Sequence, residues 1–364
     1  MVEAMRAHPQ VAGVQEYGCG ALGNMCCGND AAGRARKQRA ADAGAIEAVV
    51  EAMRAHPQEA GVQEYGCRAL INVCFGDDAA GRARAQRAVE AGAIEAAVEA
   101  VRAHPQVAGV QEPGCGVLIN VCLGDDAAGR ARKQRAADAG AIEAAMEAAR
   151  AHPQVARVRK QACAALVNVC HGVDAAGRAR KQRAAEAGAI EVVVELMRAH
   201  PQVADVQEQA CAALSNVCVG DDAAGLARAQ RAAEAGAIEA VLVALRAHPQ
   251  EAGVQKPACA ALANVCAGVD AAGRARKQRA VDAGAIEAVV SALRAHPQEA
   301  GVQQAGCSAL ANVCAGGDEE EALARWRRAS QAGGRAAAAA AMRAHPTNTE
   351  VQRLGQELLE QLPE

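Results

Sequence analysis

Apolar residues recur at helical spacing in two kinds of segment that alternate along the chain. Ile94, Ala97, Val98 and Val101 mark one kind; Val62, Cys67, Ala69, Leu70, Val73 and Cys74 mark the other. A third kind, Ala79 to Ala91, is polar and basic. Breaks separate all three. Gly76-Asp77-Asp78 ends one helix with glycine and opens the next with a carboxylate able to cap free backbone N–H groups. Gly92 turns the chain, and Pro105 disfavours α conformation at His104, closing the segment that Ala93-Ile94-Glu95 opened. The pattern predicts units of three helices: a basic first, an apolar second, and a third such as Val62 to Phe75.

The units repeat. His-Pro-Gln begins at His8, His56, His104, His152, His200, His248 and His296, always 48 residues apart, and His345-Pro346-Thr347 follows one residue late. A single unit cannot bury its own apolar faces, so units must stack. One solenoid over 1–364 is expected, with units at about 1–43, 44–91, 92–139, 140–187, 188–235, 236–283, 284–332 and 333–364. Met1 corresponds to Val49, so the opening unit lacks a first helix. The last unit reads as a divergent cap, with Gln356 and Gln361 where Cys307 and Asn312 stand before it.

Composition supports helices and removes other classes. Half the residues are hydrophobic (51%) while aromatics are 1%, which leaves little from which to build sheets. A net charge of −3 provides no basic field for nucleic acid. No run approaches a membrane span, and Met1 to Arg6 opens no signal peptide.

Period, unit and wording resemble the armadillo repeat family. The Ala-Gly-Ala-Ile turn before the second helix carries the likeness. So does the third-helix string Val62-Gln63-Glu64-Tyr65-Gly66-Cys67-Arg68-Ala69-Leu70-Ile71-Asn72-Val73. The resemblance covers essentially the whole chain and implies an all-α, right-handed α-solenoid of three-helix armadillo-type repeats. The 48-residue unit is longer than the family's usual one, mainly through its first helix. In that family third helices line a concave groove, where an asparagine grips the backbone of an extended peptide. Here the matching residues are Asn24, Asn72, Asn120, Asn168, Asn216, Asn264 and Asn312. The tryptophan that importin-α-like members place four residues earlier is absent, which argues against recognition of nuclear localisation signals.

Physical reasoning points to the same surface. An asparagine amide both donates and accepts, matching a peptide unit. Stacked helices about 8–10 Å apart would meet every second or third residue of an extended ligand. The alternative is that asparagine merely links neighbouring helices. Comparison among units adds candidates around Asn72: Tyr17 and Tyr65, Arg68, Ile71, and Phe75, Leu123 and His171 in one variable slot. Spacings of three and four place positions 65, 68, 72 and 75 on one stripe. A partner is expected over residues 17–171.

Other series look structural. Fourteen cysteines form pairs seven apart, from Cys19/Cys26 to Cys307/Cys314, too far for disulfides or zinc. They are expected buried and reduced, with Cys27 the reactive exception and a cytoplasmic or nuclear, non-secreted setting. The His-Pro histidines suit helix C-termini. The basic run Arg34 to Arg39, which recurs, reads as solvated helix surface. Gly18-Cys19-Gly20-Ala21-Leu22-Gly23 matches a dinucleotide fingerprint by letters but lies inside a helix. Four serines and no metalloprotease motif leave little for catalysis.

The expectation is a monomeric, non-enzymatic scaffold that uses neither cofactor nor metal and binds a protein or extended peptide. A spacer segment of a longer array, or a consensus-like scaffold without a ligand, is the structural alternative. A redox or metal store is the third reading.

Overall fold

The structure is a computed structural model, and it describes residues 1–317 and 319–363. It divides into two compact units, Met1–Ala187 and Gly188–Glu364. All regular elements among the described residues are helices, and none is long and apolar enough to cross a membrane.

In the first unit like packs on like. The third helices Ala12–Met25, Ala60–Cys74, Ala108–Val121 and Ala156–Val169 lie side by side in chain order. The second helices Val2–Ala7, Ala45–Ala55, Ala93–Ala103 and Ala141–Ala151 form a parallel series, as do the first helices Ala31–Asp42, Ala79–Ala91, Ala127–Asp138 and Ala175–Glu186. The core falls between second and third helices, where Ile46, Ile94, Ile142, Leu70, Leu118 and Leu166 are fully buried. Burying each such side chain contributes about 1.5–3 kcal/mol.

Caps explain the boundaries. The Asp78 carboxylate accepts from the Gly81 N–H at 2.7 Å, as the break predicted. Gly81 must be glycine, because a Cβ there would lie 2.3 Å from the Gly76 carbonyl oxygen. Gly92 turns in the left-handed region at φ 90°, where other residues are strained. His104 caps the second helix at φ −124°, outside the α region, before Pro105.

Hydrogen bonds then tie segments together. Gln111 Nε2 donates to the carbonyls of Val101 and His104 at 2.7 and 2.8 Å, pinning the third helix to the end of the second. Arg84 Nε donates to Val73 O at 2.8 Å, fixing the first helix to the end of the third. The Arg87 guanidinium grips both Glu47 carboxylate oxygens at 2.5 and 3.0 Å.

The expectation of a solvated first helix is corrected here. Lys37, Arg84, Lys133, Arg132 and Arg180 are buried, their charged ends turned onto helix-terminal carbonyls and loop oxygens. Free carbonyls at a helix C-terminus attract such cations, which periodicity alone does not reveal.

The second unit repeats the arrangement with second helices from Ala189–Ala199 to Gly334–Ala344 and third helices from Ala204–Cys218 to Thr349–Gln361. Its last repeat is tied in by its own chemistry. Arg335 Nη1 donates to the carbonyls of Leu359 and Leu362, Ser330 Oγ donates to Pro363 O at 2.6 Å, and Trp326 is buried.

Candidate functional site

The asparagine series lies along the third helices. Asn72 Nδ2 donates to Gly23 O of the preceding third helix at 3.0 Å, and Asn120 Nδ2 donates likewise to Ile71 O at 3.0 Å. Asn168 instead donates to Ala164 O in its own helix, while Asn24 is exposed. In the second unit Asn264 Nδ2 reaches Ser215 O at 2.8 Å and Asn312 Nδ2 reaches Ala263 O at 3.0 Å; Asn216 is half-buried. One amide hydrogen thus links neighbouring repeats at four of these positions. Among the described residues nothing donates to the Oδ1 atoms of Asn72, Asn264 or Asn312.

The remaining candidates separate into two groups. On the first unit's third helices, Tyr17 is 79% exposed and Tyr65 is also exposed, with its ring over Gly20 of the preceding repeat. Arg68 is exposed and pairs with Glu64 at 3.0 Å. Ile71 is only half-exposed, with Cδ1 2.6 Å from where a Cβ on Gly116 would sit. Tyr65 and Ile71 both lean on glycines of adjacent repeats; a Cβ on Gly116 would displace Ile71, whereas one on Gly20 would meet the Tyr65 ring at 3.4 Å, an ordinary contact.

The second group leaves the stripe. Phe75, Leu123 and His171 stand beyond their helices, which end at Cys74, Val121 and Val169. Phe75 receives Lys37 Nζ 4.7 Å from its ring centroid. His171 Nδ1 lies 2.9 Å from Asp125 Oδ1, which also accepts from Lys133 Nζ at 2.6 Å. That lysine holds the Asp125 carboxyl below its usual range. Asp125, Lys133 and His171 also line a cleft of about 470 Å³. Lys37, Lys133 and Asp125 were missed because each belongs to a segment whose letters read as solvent-facing; the change from Lys to Ala at positions 85 and 229 was the available signal.

Fourteen cysteines are buried and Cys27 is exposed; all are free. Burial pushes the thiols of Cys74, Cys115, Cys163 and Cys259 up to about 12. Among the described residues no three His, Cys, Asp or Glu side chains gather as a metal-binding group.

A helical-repeat protein with consecutive third helices in register is the class this geometry defines. Residues 179–219 match the Armadillo/beta-catenin-like repeat family model, and neighbouring units carry the same wording. Residues 179–219 thus carry an armadillo-type repeat. No curated protein matches it in sequence. Solved structures are similar to it in fold; one concerns a conserved phosphorylation switch that controls the interaction between cadherin and beta-catenin. It is similar at 15% identity and TM-score 0.47, over 94% of this chain and 68% of that one.

Proposed function

We propose that this protein is a non-enzymatic scaffold that holds an extended segment of a protein partner along its third helices. In this reading the units at 1–43, 44–91, 92–139, 140–187, 188–235, 236–283, 284–332 and 333–364 continue as one right-handed solenoid on a 48-residue period. It acts as a monomer in the cytoplasm or nucleus, without cofactor or metal. The observation that carries the reading is the pairing of exposed Tyr17, Tyr65 and Arg68 with asparagines whose Oδ1 atoms remain available. Tyrosine and arginine supply large contact area with polar ends, the usual anchors of an interface. Asn72, Asn264 and Asn312 keep an acceptor for a peptide unit after linking their neighbours; Asn312 also keeps an N–H, whereas Asn72 Nδ2 lies 3.5 Å from Cys27 Sγ and Asn264 Nδ2 lies 3.2 Å from Ser215 Oγ. Partner contact is placed over residues 17–171, with Ile71, Phe75, Leu123 and His171 at its margins.

The spacer reading draws on the same inter-repeat bonds, since Asn72 and Asn120 already have structural work. A peptide-display selection against wild type separates the two. Binding of selected peptides should fall about tenfold or more in Tyr65→Ala/Arg68→Ala, a change that leaves the asparagine bonds intact. Binding as tight as wild type by both that variant and Asn72→Ala/Asn120→Ala would leave only the spacer.

A further inference from the structure

We infer, resting on the scaffold function proposed for this face, that the segment held against the third helices Ala12–Met25 and Ala60–Cys74 is a polyproline II stretch. It carries a proline at every third position and a lysine or arginine between. Both tyrosines of the chain, Tyr17 and Tyr65, occupy one slot of successive repeats. Tyr65, with a repeat on either side of it, still exposes 39% of its surface. Its ring lies against the bare backbone of Gly20, three ring carbons 3.4–3.8 Å from where a Cβ would stand. Among the described residues neither tyrosine hydroxyl has a hydrogen-bond partner. The slot thus offers an apolar ring with a free donor at its tip.

Spacing decides the ligand's conformation. Packed helices stand about 8–10 Å apart, so the two rings recur on that scale. A polyproline II chain rises about 3.1 Å per residue with three residues per turn, and returns to the same side after about 9 Å. A β-extended chain turns alternate residues to one side, about 6.6 Å and then about 13 Å apart, and misses the second ring. The amides favour the same conformer. Asn72 already spends its N–H groups on Gly23 O and Cys27 Sγ, and Asn120 is buried, which leaves the tyrosine hydroxyls to donate to ligand carbonyls. A proline-rich segment arrives with its backbone ordered, so it binds at little cost in chain entropy.

Charge sets the residue between the prolines. Glu16 reaches across to the next third helix, its Oε2 2.5 Å from where a Cβ on Gly61 would stand, one turn before Tyr65 on the same face. Its counterparts are paired: Glu64 meets Arg68 at 3.0 Å and Glu112 meets Arg157 at 3.7 Å. Gly20 and Gly61 stand where those arginines would be, and among the described residues no cation meets Glu16. A basic side chain of the ligand supplies that partner beside the rings.

Fluorescence anisotropy with the full chain and a labelled peptide of four Pro-Ala-Lys triplets tests this. Saturable binding is expected, weakened about tenfold by Tyr65→Ala and about threefold by Glu16→Gln, the second loss shrinking in high salt. The same residues reordered, with prolines two and four apart, should bind about tenfold more weakly. Tyr65 is exposed and Glu16→Gln keeps the side chain's shape, so circular dichroism should show both variants folded. Equal affinity for the two peptides, indifference to both substitutions, or no saturation overturns the inference. The scaffold function fails separately. Selected peptides that lack a three-residue proline period, yet lose binding in Tyr65→Ala/Arg68→Ala, would uphold it while ruling out the polyproline ligand.

Discussion

The imidazole Nε2 of His104 lies 2.9 Å from the carbonyl oxygen of Pro57, one repeat earlier. His56 meets Pro9 at 2.8 Å and His152 meets Pro105 at 2.9 Å; in the second unit His248 meets Pro201 and His296 meets Pro249. A carbonyl only accepts, so Nε2 carries the hydrogen in each pair. The His-Pro word therefore ends a helix through its proline and clips adjacent repeats through its histidine. Replacing His104 with alanine should cost about 1–2 kcal/mol, read as a lower urea midpoint. An unchanged midpoint would show that water replaces the bond at no cost.

Gln111 makes a stronger demand. It is fully buried and satisfies two carbonyls at the end of the preceding helix. Gln111→Ala strands the Val101 carbonyl in the interior, while His104 O keeps the Val107 N–H at 3.1 Å, and about 1–3 kcal/mol of destabilisation is expected from denaturant titration. The fourth repeat provides the converse experiment. Arg159 occupies this slot, buried, with Nη1 on Pro153 O at 3.1 Å. Arg159→Gln should raise the midpoint by exchanging a buried cation for the neutral donor used in the other repeats.

These two residues show what a linear reading could and could not give. The recurrence of His104 is plain in the sequence, and so are Asp78 as a cap, Gly92 as a turn and the cysteine pairs as core, because local chemistry decides each. The acceptors were hidden. Pro57 lies 47 residues before His104, and Gly23 lies 49 before Asn72, so only stacked repeats bring them together. Spacing places Phe75 on the helical stripe because it carries no stop signal; the helix ends one residue earlier and the ring turns towards Lys37. Arg84 looked solvated for a related reason. Its stem covers apolar neighbours while its guanidinium reaches Val73 O, a use of arginine that polarity scales score as surface.

Cys27 should be the one thiol that reacts in the native state. Its Sγ donates to Gly23 O at 3.4 Å from an exposed position, whereas the other fourteen are buried. Ellman's reagent should titrate one fast equivalent, none after Cys27→Ser, and fourteen more only on unfolding. Several fast equivalents would mean that repeats open locally on the assay's timescale.

The buried thiols also set an alkaline limit to stability. Their folded pKa values, about 12 for Cys74, Cys122 and Cys266, lie above the ordinary value of 9.0. Desolvation of the thiolate is the cause, so the folded chain keeps these protons after the unfolded chain has lost them. The stabilisation is complete below pH 9 and drains away as pH climbs towards 12, by about 1.4 kcal/mol per pH unit for each protected thiol. Thirteen thiols carry a large shift of this kind, and acting together they offset a total stability of about 5–15 kcal/mol near pH 9–10. The urea midpoint should accordingly be level up to about pH 8.5 and fall steeply beyond it. Cys74→Ala/Cys122→Ala, with two fewer protons at stake, should fall less steeply. A midpoint that held steady to pH 10.5 would mean that the unfolded thiols are protected as well, or that the core admits water around the sulfurs.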